Sequence, residues 1–576
     1  MDDLPQDPIF TRSNQTPPPC LENQVRIAGE PGLTPKPSMQ TRLRPCVIWS
    51  ALSIIVLCWL GYMLSNGICR PWVNFIDYNG AVWSQAAHNI LRAGVLKTEG
   101  ASSGFYFGAL PIPPRGYYLH HPPLLHLLLA GIFHIFGEHE WAARLLPISC
   151  SIISGLFLWF LVRSCLGARS AAFSLAVFAC LPMELRYGQM VNFEPLVLML
   201  VLGGLVSLRL WKTSGKTAWK VAAMSAFMIG LWVDWAMYLF LIVLCGYWFY
   251  TRDSEAKRMA RVLTVFGLIS AAVYFIRIRL IRPDAWDSLI HAFFCRMGSE
   301  HSGSGSSIHF TEAQWLSRIA DSLSTHFLPM GLALAVLGGL FMFRKRHQEE
   351  MRWLIWTCLL VSAMDLIFVG GFQNDSYIHP YIAFYLVAPV SIASGVAFNE
   401  ITSYIQKRHT ATRFHLFAAI ALLCILFHSG TAQADKLRRQ FLVLDFKRQE
   451  PSDLIPTLGA AIRKNFTPNT DVICNFLPVY GPQLGYYAQR NLLNNVQDYR
   501  FWRTYLQNPL EKNIGGVVWL NSEKAREIVS NLPAGTKNYI RLGDTSFCFW
   551  KPCPTISTIS YSIPKANERS TRTRGT

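Results

Sequence analysis

The chain carries little charge for its length. Only 15% of its 576 residues are Asp, Glu, Lys or Arg, whereas 51% are hydrophobic, and an ordinary soluble domain is about 25% charged. The composition therefore excludes a soluble globular protein and indicates a membrane protein. Acidic residues are scarcer than basic ones, with 35 Asp and Glu against 53 Lys and Arg.

Several motifs are missing as well. The 14 cysteines include no CxxC pair, which argues against a zinc ribbon or a dithiol redox site; whether Cys548 and Cys553 pair is left open. No convincing P-loop or dinucleotide fingerprint is present, so nothing points to a nucleotide substrate. The first 45 residues lack the apolar segment that a signal peptide requires, and they are predicted to be a disordered cytoplasmic tail.

Long apolar runs are abundant, and a span needs about 20 such residues. The stretch at 122–137 is shorter and opens on a Pro-Pro pair. Eleven other runs are predicted to cross the membrane: 46–66, 145–162, 170–187, 194–211, 221–234, 235–250, 262–280, 326–343, 353–370, 380–397 and 414–430.

Basic residues decide the orientation of these runs. If 122–137 lies on the outer surface as an interfacial helix, the five cytoplasmic connections are all rich in Lys and Arg, as the positive-inside rule requires. If 122–137 spans, all five move outside. The first arrangement is therefore favoured, and the basic runs are topology signals rather than a nucleic-acid surface. The five connections are 163–169, 212–220, 252–261, 344–352 and 407–413.

This topology gives a membrane domain over 46–430 with a first external loop at 67–144. The segment 435–555 returns to a soluble composition, with strand-like runs such as DVICNF and GGVVWL followed by helical patterns, and predicts a small extracytoplasmic α/β domain. Residues 556–576 are predicted to be a disordered tail.

Three acidic residues are predicted to lie at the outer membrane surface. Asp77 and Glu194 each stand where a helix should begin, so helix capping is one explanation. Acids at the mouth of a bundle are also functional candidates, because they are costly to place there. Asp234 lies at the same level. Capping and catalysis both stay open at this point.

Basic residues at the outer surface are the exceptions to the topology rule. Arg277, Arg279 and Arg282 follow one another at the outer end of a span, and they either extend towards lipid headgroups or bind a lipid phosphate. His120 and His121 precede the interfacial helix and are candidate ligands for a divalent metal ion, although no HxH or HxxxH pattern supports a metal site.

The segment YLHHPPLLHLLLAGIFHIFGEHEWAARLLP, together with an acid in the first loop and the later Glu-Pro-Leu, resembles the polyprenyl-phosphate-sugar glycosyltransferases of the GT-C fold. That group includes protein O-mannosyltransferases and the lipid A aminoarabinose transferase. The resemblance covers about 46–400, and the soluble tail resembles the periplasmic domain of several members. Family members often have Glu-Lys where this chain has His120-His121, and more often Asp where it has Glu194.

The resemblance implies an enzyme of about eleven transmembrane helices in the cell membrane, with its active site on the extracytoplasmic side. Asp77 and Glu194 would be the catalytic acids, with Asp77 as the general base. Arg277, Arg279 and Arg282, with His120 and His121, would bind the phosphate of a polyprenyl-phosphate sugar. The acceptor would be a lipid, a polysaccharide or a protein.

Two other classes of protein remain open. A transporter or flippase of a lipid-linked saccharide would also have many spans, but the chain lacks the paired repeats with broken helices that are typical of transporters. A binding or scaffold protein could keep the fold without activity, and the acids at 77 and 194 argue weakly against that.

Overall fold

The computed structural model describes residues 39–74, 76–298, 309–408, 412–440, 451–474, 481–493, 513–520, 535–542 and 545–552. Contacts divide the chain into two units, Met1–Val47 and Ile48–Thr576. The predicted tails, the Gly-Ser run at 301–307, the helical pattern at 522–532 and Cys553 lie wholly or largely outside the described residues.

The described part is mostly helical up to residue 440, with two short 3₁₀ segments at Pro114–Gly116 and Pro380–Leu386. The helices of this part are α1 Met39–Ser65, α2 Asp77–Ala93, α3 Val95–Thr98, α4 Leu124–Phe136, α5 Glu140–Cys180, α6 Pro182–Tyr187, α7 Phe193–Ser214, α8 Thr217–Gly230, α9 Trp235–Tyr250, α10 Ser254–Ile281, α11 Ala285–Met297, α12 Glu312–Phe327, α13 Pro329–Arg344, α14 Glu349–Gly371, α15 Gln373–Ile378, α16 Val387–Arg408 and α17 Thr412–Gln440.

Six helices of the described part are long and apolar enough to cross a membrane, and a seventh span results if the bent pair α12–α13 is taken as one. The predicted membrane-helix fold is thereby confirmed, while the count of eleven stays a prediction. Helix α4, within the stretch 122–137, has only 13 residues. Its rise of about 20 Å is less than the hydrocarbon thickness, as expected of an interfacial helix.

Helix α5 is two helices joined at a break. Gly167 has a φ of 85°, a value in the left-handed region that glycine adopts readily. On either side of the break the chain packs against itself, since the α-carbon of Gly155 faces the side chains of Leu175 and Phe178. The predicted spans 145–162 and 170–187 therefore form a helical hairpin, although the second helix already ends at Cys180 and α6 follows it.

The predicted small sheet at the C-terminal end is confirmed. Strands β1 Asp471–Cys474, β2 Leu492–Leu493, β3 Ile514–Leu520, β4 Gly535–Leu542 and β5 Thr545–Pro552 form one sheet in the order β2-β1-β3-β5-β4. Strand β1 is parallel to β2 and β3, and β5 is antiparallel to β3 and β4. Helices α18 Pro451–Asn465 and α19 Gly481–Ala488 complete the described part of this region. The predicted first residue of the α/β domain, 435, falls inside α17.

Hydrogen bonds join this C-terminal region to the first loop. The Tyr487 hydroxyl donates to Glu140 Oε1 over 2.7 Å and accepts from the backbone N–H of Trp72, also over 2.7 Å. Gln483 Nε2 donates to the Asn74 carbonyl over 3.2 Å. The sheet therefore lies on the same side of the helices as the loop that follows α1.

Candidate active site

One cavity of about 420 Å³ lies where several helices begin or end. The start of α2, the start of α7 and the residues just before α9 contribute to it, as do α11 and the chain between α14 and α16. Its wall combines aromatic rings with three carboxylates, from Glu194, Asp234 and Asp375, and one guanidinium, from Arg296. A largely apolar cleft with a few converging polar groups is typical of a ligand site.

Glu194 is the second residue of α7, and its carboxylate is only partly satisfied. Asn192 Nδ2 donates to Oε1 over 3.1 Å, and Asn192 is itself fixed by the indole N–H of Trp83 over 3.0 Å. Oε2 is buried and has no hydrogen-bond partner among the described residues. Since a buried carboxylate oxygen without a donor is costly, this atom is the natural place for a ligand hydroxyl to donate.

Asp234 forms a pair with one of the two predicted histidines. The distance between Asp234 Oδ1 and His121 Nδ1 is 2.9 Å. The His121 ring stacks on Phe193 with 4.5 Å between ring centres, so the imidazole is held between the start of α7 and the start of α9. Asp234 is 4% exposed, and its contact with His121 orients both side chains on the cavity wall.

Arg296 of α11 is the cation of the cavity. Its Nε lies 3.2 Å from Asp375 Oδ2, and its Nη2 donates to the Tyr118 hydroxyl over 3.1 Å. Burial raises the pKa of Tyr118, so the phenol stays protonated near neutral pH. Because its oxygen accepts from Arg296, the hydroxyl hydrogen is available to an anionic ligand beside the guanidinium.

His120 contacts Ser288 Oγ at 3.0 Å through Nε2 and does not line the cavity. Burial, followed by the charges of Arg296, His121 and Arg282, lowers its pKa to about 3, so the ring is neutral at physiological pH. Among the described residues, no three His, Cys, Asp or Glu side chains are arranged to hold a metal ion. The suggested metal at His120 and His121 therefore finds no ligand set there.

Asp77 is placed differently from the sequence expectation. It is 3% exposed and does not line the cavity. Its Oδ1 lies 3.0 Å from Arg144 Nη2 and 3.4 Å from Arg70 Nη2, and its Oδ2 accepts from the backbone N–H groups of Val73 and Asn74. Four donors thus surround this carboxylate, which ties the start of α2 to α5.

The three arginines of α10 and its end are also placed outside the cavity. Arg277 donates to the Glu99 carbonyl. Arg282 donates to the Tyr117 carbonyl over 3.0 Å and pairs with Asp284 at 3.4 Å. Arg279 is exposed. Arg277 and Arg282 therefore bind backbone of the first loop, and none of the three lines the cavity; the guanidinium that does belongs to Arg296.

The structure thus brings together Glu194, Asp234 and His121 and leaves out Asp77, His120 and the three arginines. Sequence reasoning missed Arg296, Asp375 and Tyr118. Asp375 stands in GFQNDSYIH, a turn predicted to be external, where its charge next to a predicted membrane surface was a usable signal. Arg296 lies in the last turn of an ordinary amphipathic helix, and no local pattern distinguishes it.

Replacing Asp77 with Ala should destabilise the protein strongly. The change leaves Arg144, which is 1% exposed, without its carboxylate, and breaking a buried pair costs about 3–5 kcal/mol. Asp77→Asn should cost less, because the amide still accepts a hydrogen bond. Thermal unfolding of the purified protein in detergent measures both, with Asp284→Ala as a control whose carboxylate is 67% exposed. A stable, well-folded Asp77→Ala chain that no longer transfers sugar would instead return Asp77 to catalysis.

Comparison with known proteins bears on the fold. Residues 120–276 match the family model described as dolichyl-phosphate-mannose-protein mannosyltransferase. The chain is similar to the structure of ArnT from Cupriavidus metallidurans in the apo state, with 14% identity and a TM-score of 0.54 over 89% of this chain and 98% of that one. No curated protein sequence matches.

Two further structures carry bound lipid. ArnT from Cupriavidus metallidurans bound to undecaprenyl phosphate is 15% identical, with a TM-score of 0.52 over 89% of this chain and 98% of that chain. The archaeal oligosaccharyltransferase AglB from Archaeoglobus fulgidus, in complex with an inhibitory peptide and a dolichol-phosphate, is 13% identical, with a TM-score of 0.53 over 81% and 69%. The predicted resemblance and the GT-C fold are confirmed.

Proposed function

We propose that this protein moves a sugar from a polyprenyl-phosphate donor to an acceptor hydroxyl on the extracytoplasmic side of the membrane. The observation that carries the proposal is a single cavity that holds both an unsatisfied carboxylate oxygen, on Glu194, and a guanidinium, on Arg296. The undecaprenyl phosphate of ArnT and the dolichol-phosphate of AglB support a lipid phosphate as the donor's carrier.

The chemistry needs one base and one anion site. The acceptor oxygen attacks the anomeric carbon while the bond from that carbon to the phosphate oxygen breaks, and the hydroxyl proton passes to the base. Glu194 is the proposed base, since its side chain lines the cavity and its Oε2 has no donor among the described residues. A positioned carboxylate of this kind contributes about 10²–10⁴-fold to the rate.

The released lipid phosphate carries the negative charge that develops during transfer. Arg296 and the protonated hydroxyl of Tyr118 supply donors for it within one wall of the cavity. Preorganised donors that meet charge as it develops are usually a large part of catalysis. Asp375, at 3.2 Å from Arg296, sets the direction of the guanidinium, and Asp234 holds His121 beside the acceptor side of the cavity.

Asp77 remains the sequence-based candidate for the base. Its four donors favour a positioning role, because both oxygens of the carboxylate are already occupied by Arg144, Arg70 and two backbone N–H groups. In that role Asp77 holds the start of α2, from which Tyr78 and Asn79 reach the cavity.

Incubation with radiolabelled donors tests the proposal. Purified protein is mixed with polyprenyl-phosphate sugars and a membrane extract, and the lipid, polysaccharide and protein fractions are counted. Label should move from the donor into one fraction and should not move from a sugar nucleotide supplied alone. Transport of intact donor across vesicles without any transfer would point to a flippase instead.

The side of the membrane can be tested by labelling introduced cysteines in intact cells. A cysteine at the exposed position 287 of α11 should react with an impermeant reagent, because the cavity is proposed to open outward. A cysteine at the exposed position 346, between α13 and α14, should react only after permeabilisation. Labelling is compared with the parent chain, which has an exposed cysteine at Cys69; reaction at 346 in intact cells would reverse the topology.

A further inference from the structure

A second cavity, of about 210 Å³, lies at the other ends of the helices that build the first. Helix α7 begins beside Glu194 in the first cavity and reaches the second at Lys212, eighteen residues on, or about 27 Å away. Helix α9 likewise begins at the first cavity and ends at the second, and α14 runs between them in the opposite sense. The two sites are therefore separate.

Aromatic side chains are prominent in the wall of this second cavity. The rings of Trp211, Tyr247, Trp248 and Trp353 line it. Tyr247 also packs on Trp356, with 4.2 Å between ring centres, and Trp356 is 41% exposed. Trp and Tyr are enriched where a bundle meets lipid headgroups, so the composition of this wall indicates the level of a membrane interface.

Hydrogen-bond donors in and beside the cavity lack acceptors. The indole nitrogen of Trp353 is buried and has no hydrogen-bond partner within the described ranges. The Arg209 guanidinium lies 5.8 Å from the centre of the Trp353 ring. Its Nη1 is 3.5 Å from Glu349 Oε1, while its Nε has no acceptor among the described residues. Arg209 is 5% exposed. Buried donors of this kind are normally satisfied, which points to an anionic oxygen from outside the chain.

Lys212 adds a cation to the cavity wall. Its ammonium lies 2.6 Å from Asp253 Oδ2 and 4.7 Å from the centre of the Trp211 ring. Asp253 is held independently, since its Oδ1 caps α10 by accepting from the backbone N–H groups of Glu255 and Ala256. An ammonium has three donors, so Lys212 can keep this pair and still bind a second oxygen.

We propose that this cavity binds the phosphate headgroup of an anionic phospholipid. The three connections at this end, 212–220, 252–261 and 344–352, carry three, four and four Lys or Arg against none, two and two Asp or Glu. That excess favours an anionic headgroup over a zwitterionic one. The exposed apolar side chains of Phe249, Trp356 and Leu359 offer a surface for the acyl chains, which a free phosphate would not need.

Native mass spectrometry of the full-length protein in detergent tests this site. The probes are phosphatidylglycerol, phosphatidylcholine and inorganic phosphate, each titrated separately. Phosphatidylglycerol should bind as a discrete adduct, at least about tenfold tighter than phosphatidylcholine, since a contact to a charged group is worth about that factor. Inorganic phosphate should not compete at equal concentration.

Two variants isolate the donors. Trp353→Phe keeps the ring and removes the indole N–H, and Lys212→Met keeps the length and removes the charge; each should weaken phosphatidylglycerol binding about tenfold. Trp219→Phe and Lys216→Met are matched controls at exposed positions outside the cavity and should bind like the parent chain. Arg296→Ala should also bind normally, which separates this site from the proposed transfer site.

Equal binding of phosphatidylglycerol and phosphatidylcholine would overturn the proposal, and so would binding unchanged in both Trp353→Phe and Lys212→Met. Competition by inorganic phosphate at equal concentration would show that the site does not select a lipid. Thermal unfolding of each variant shows whether it is folded, and Trp353→Phe, the smaller change, keeps the test decisive if Lys212→Met unfolds.

Discussion

Replacing Glu194 with Gln should reduce sugar transfer by roughly 10²-fold or more while the protein remains folded. Gln has the same length and can still accept from Asn192, which donates to Glu194 Oε1 over 3.1 Å, but it cannot take the acceptor's proton. Initial rates at saturating donor and acceptor measure the effect. Because the change removes a proton acceptor and no phosphate contact, kcat should fall and the donor KM should change little.

Asp234→Asn is the matched comparison for Glu194. Both acids line the cavity, but Asp234 already contacts His121 at 2.9 Å. Asp234→Asn should therefore lower the transfer rate less than Glu194→Gln does. Equal rates for Glu194→Gln and the parent protein would remove Glu194 as the base. A larger loss in Asp234→Asn would transfer that role to Asp234 and His121.

Replacing Arg296 with Ala should weaken use of the donor by about 10–100-fold, the factor that corresponds to about 1.5–3 kcal/mol for a charge-assisted contact. The change removes the cation of the described cavity wall and leaves Asp375 without its partner at 3.2 Å. The loss should be seen mainly in the donor KM, because the guanidinium binds the phosphate before transfer as well as during it.

Arg296→Lys should recover part of the loss, since Lys supplies the charge without the planar fork. Arg279→Ala is the control, because Arg279 is exposed and outside the cavity. Normal kinetics for Arg296→Ala together with a raised donor KM for Arg279→Ala would restore the sequence-based phosphate site on α10.

That the chain is a membrane protein, and where its helices lie, could be predicted because both depend on residues that are close together in the sequence. A run of apolar residues without charge is enough to predict a helix such as α7, and the break in α5 follows a glycine between two apolar runs. The short helix α4 was also predictable, since its length and its Pro-Pro start are local features.

The candidate site depends on contacts between distant residues, and these could be predicted only in part. Glu194 was found because an acid at the start of an apolar helix is unusual in itself. The partner of Asp77, Arg144, is 67 positions away, and nothing near Asp77 indicates that its carboxylate is already bound. Arg296 likewise meets Tyr118 across 178 positions. A catalytic acid and a buried ion pair look alike until the partner is known.

Photochemical cross-linking of the donor's carrier shows whether the cavity between Glu194 and Arg296 is the site of transfer. A radiolabelled polyprenyl phosphate with a diazirine on its first isoprene unit is irradiated with the full-length protein, and the modified peptides are identified. We predict label in α11, within Ala285–Met297, or in 372–382, with a clear loss of label in Arg296→Ala. Label confined to the ends of α7, α9 and α10 around Lys212, or label that Arg296→Ala leaves unchanged, would contradict the account.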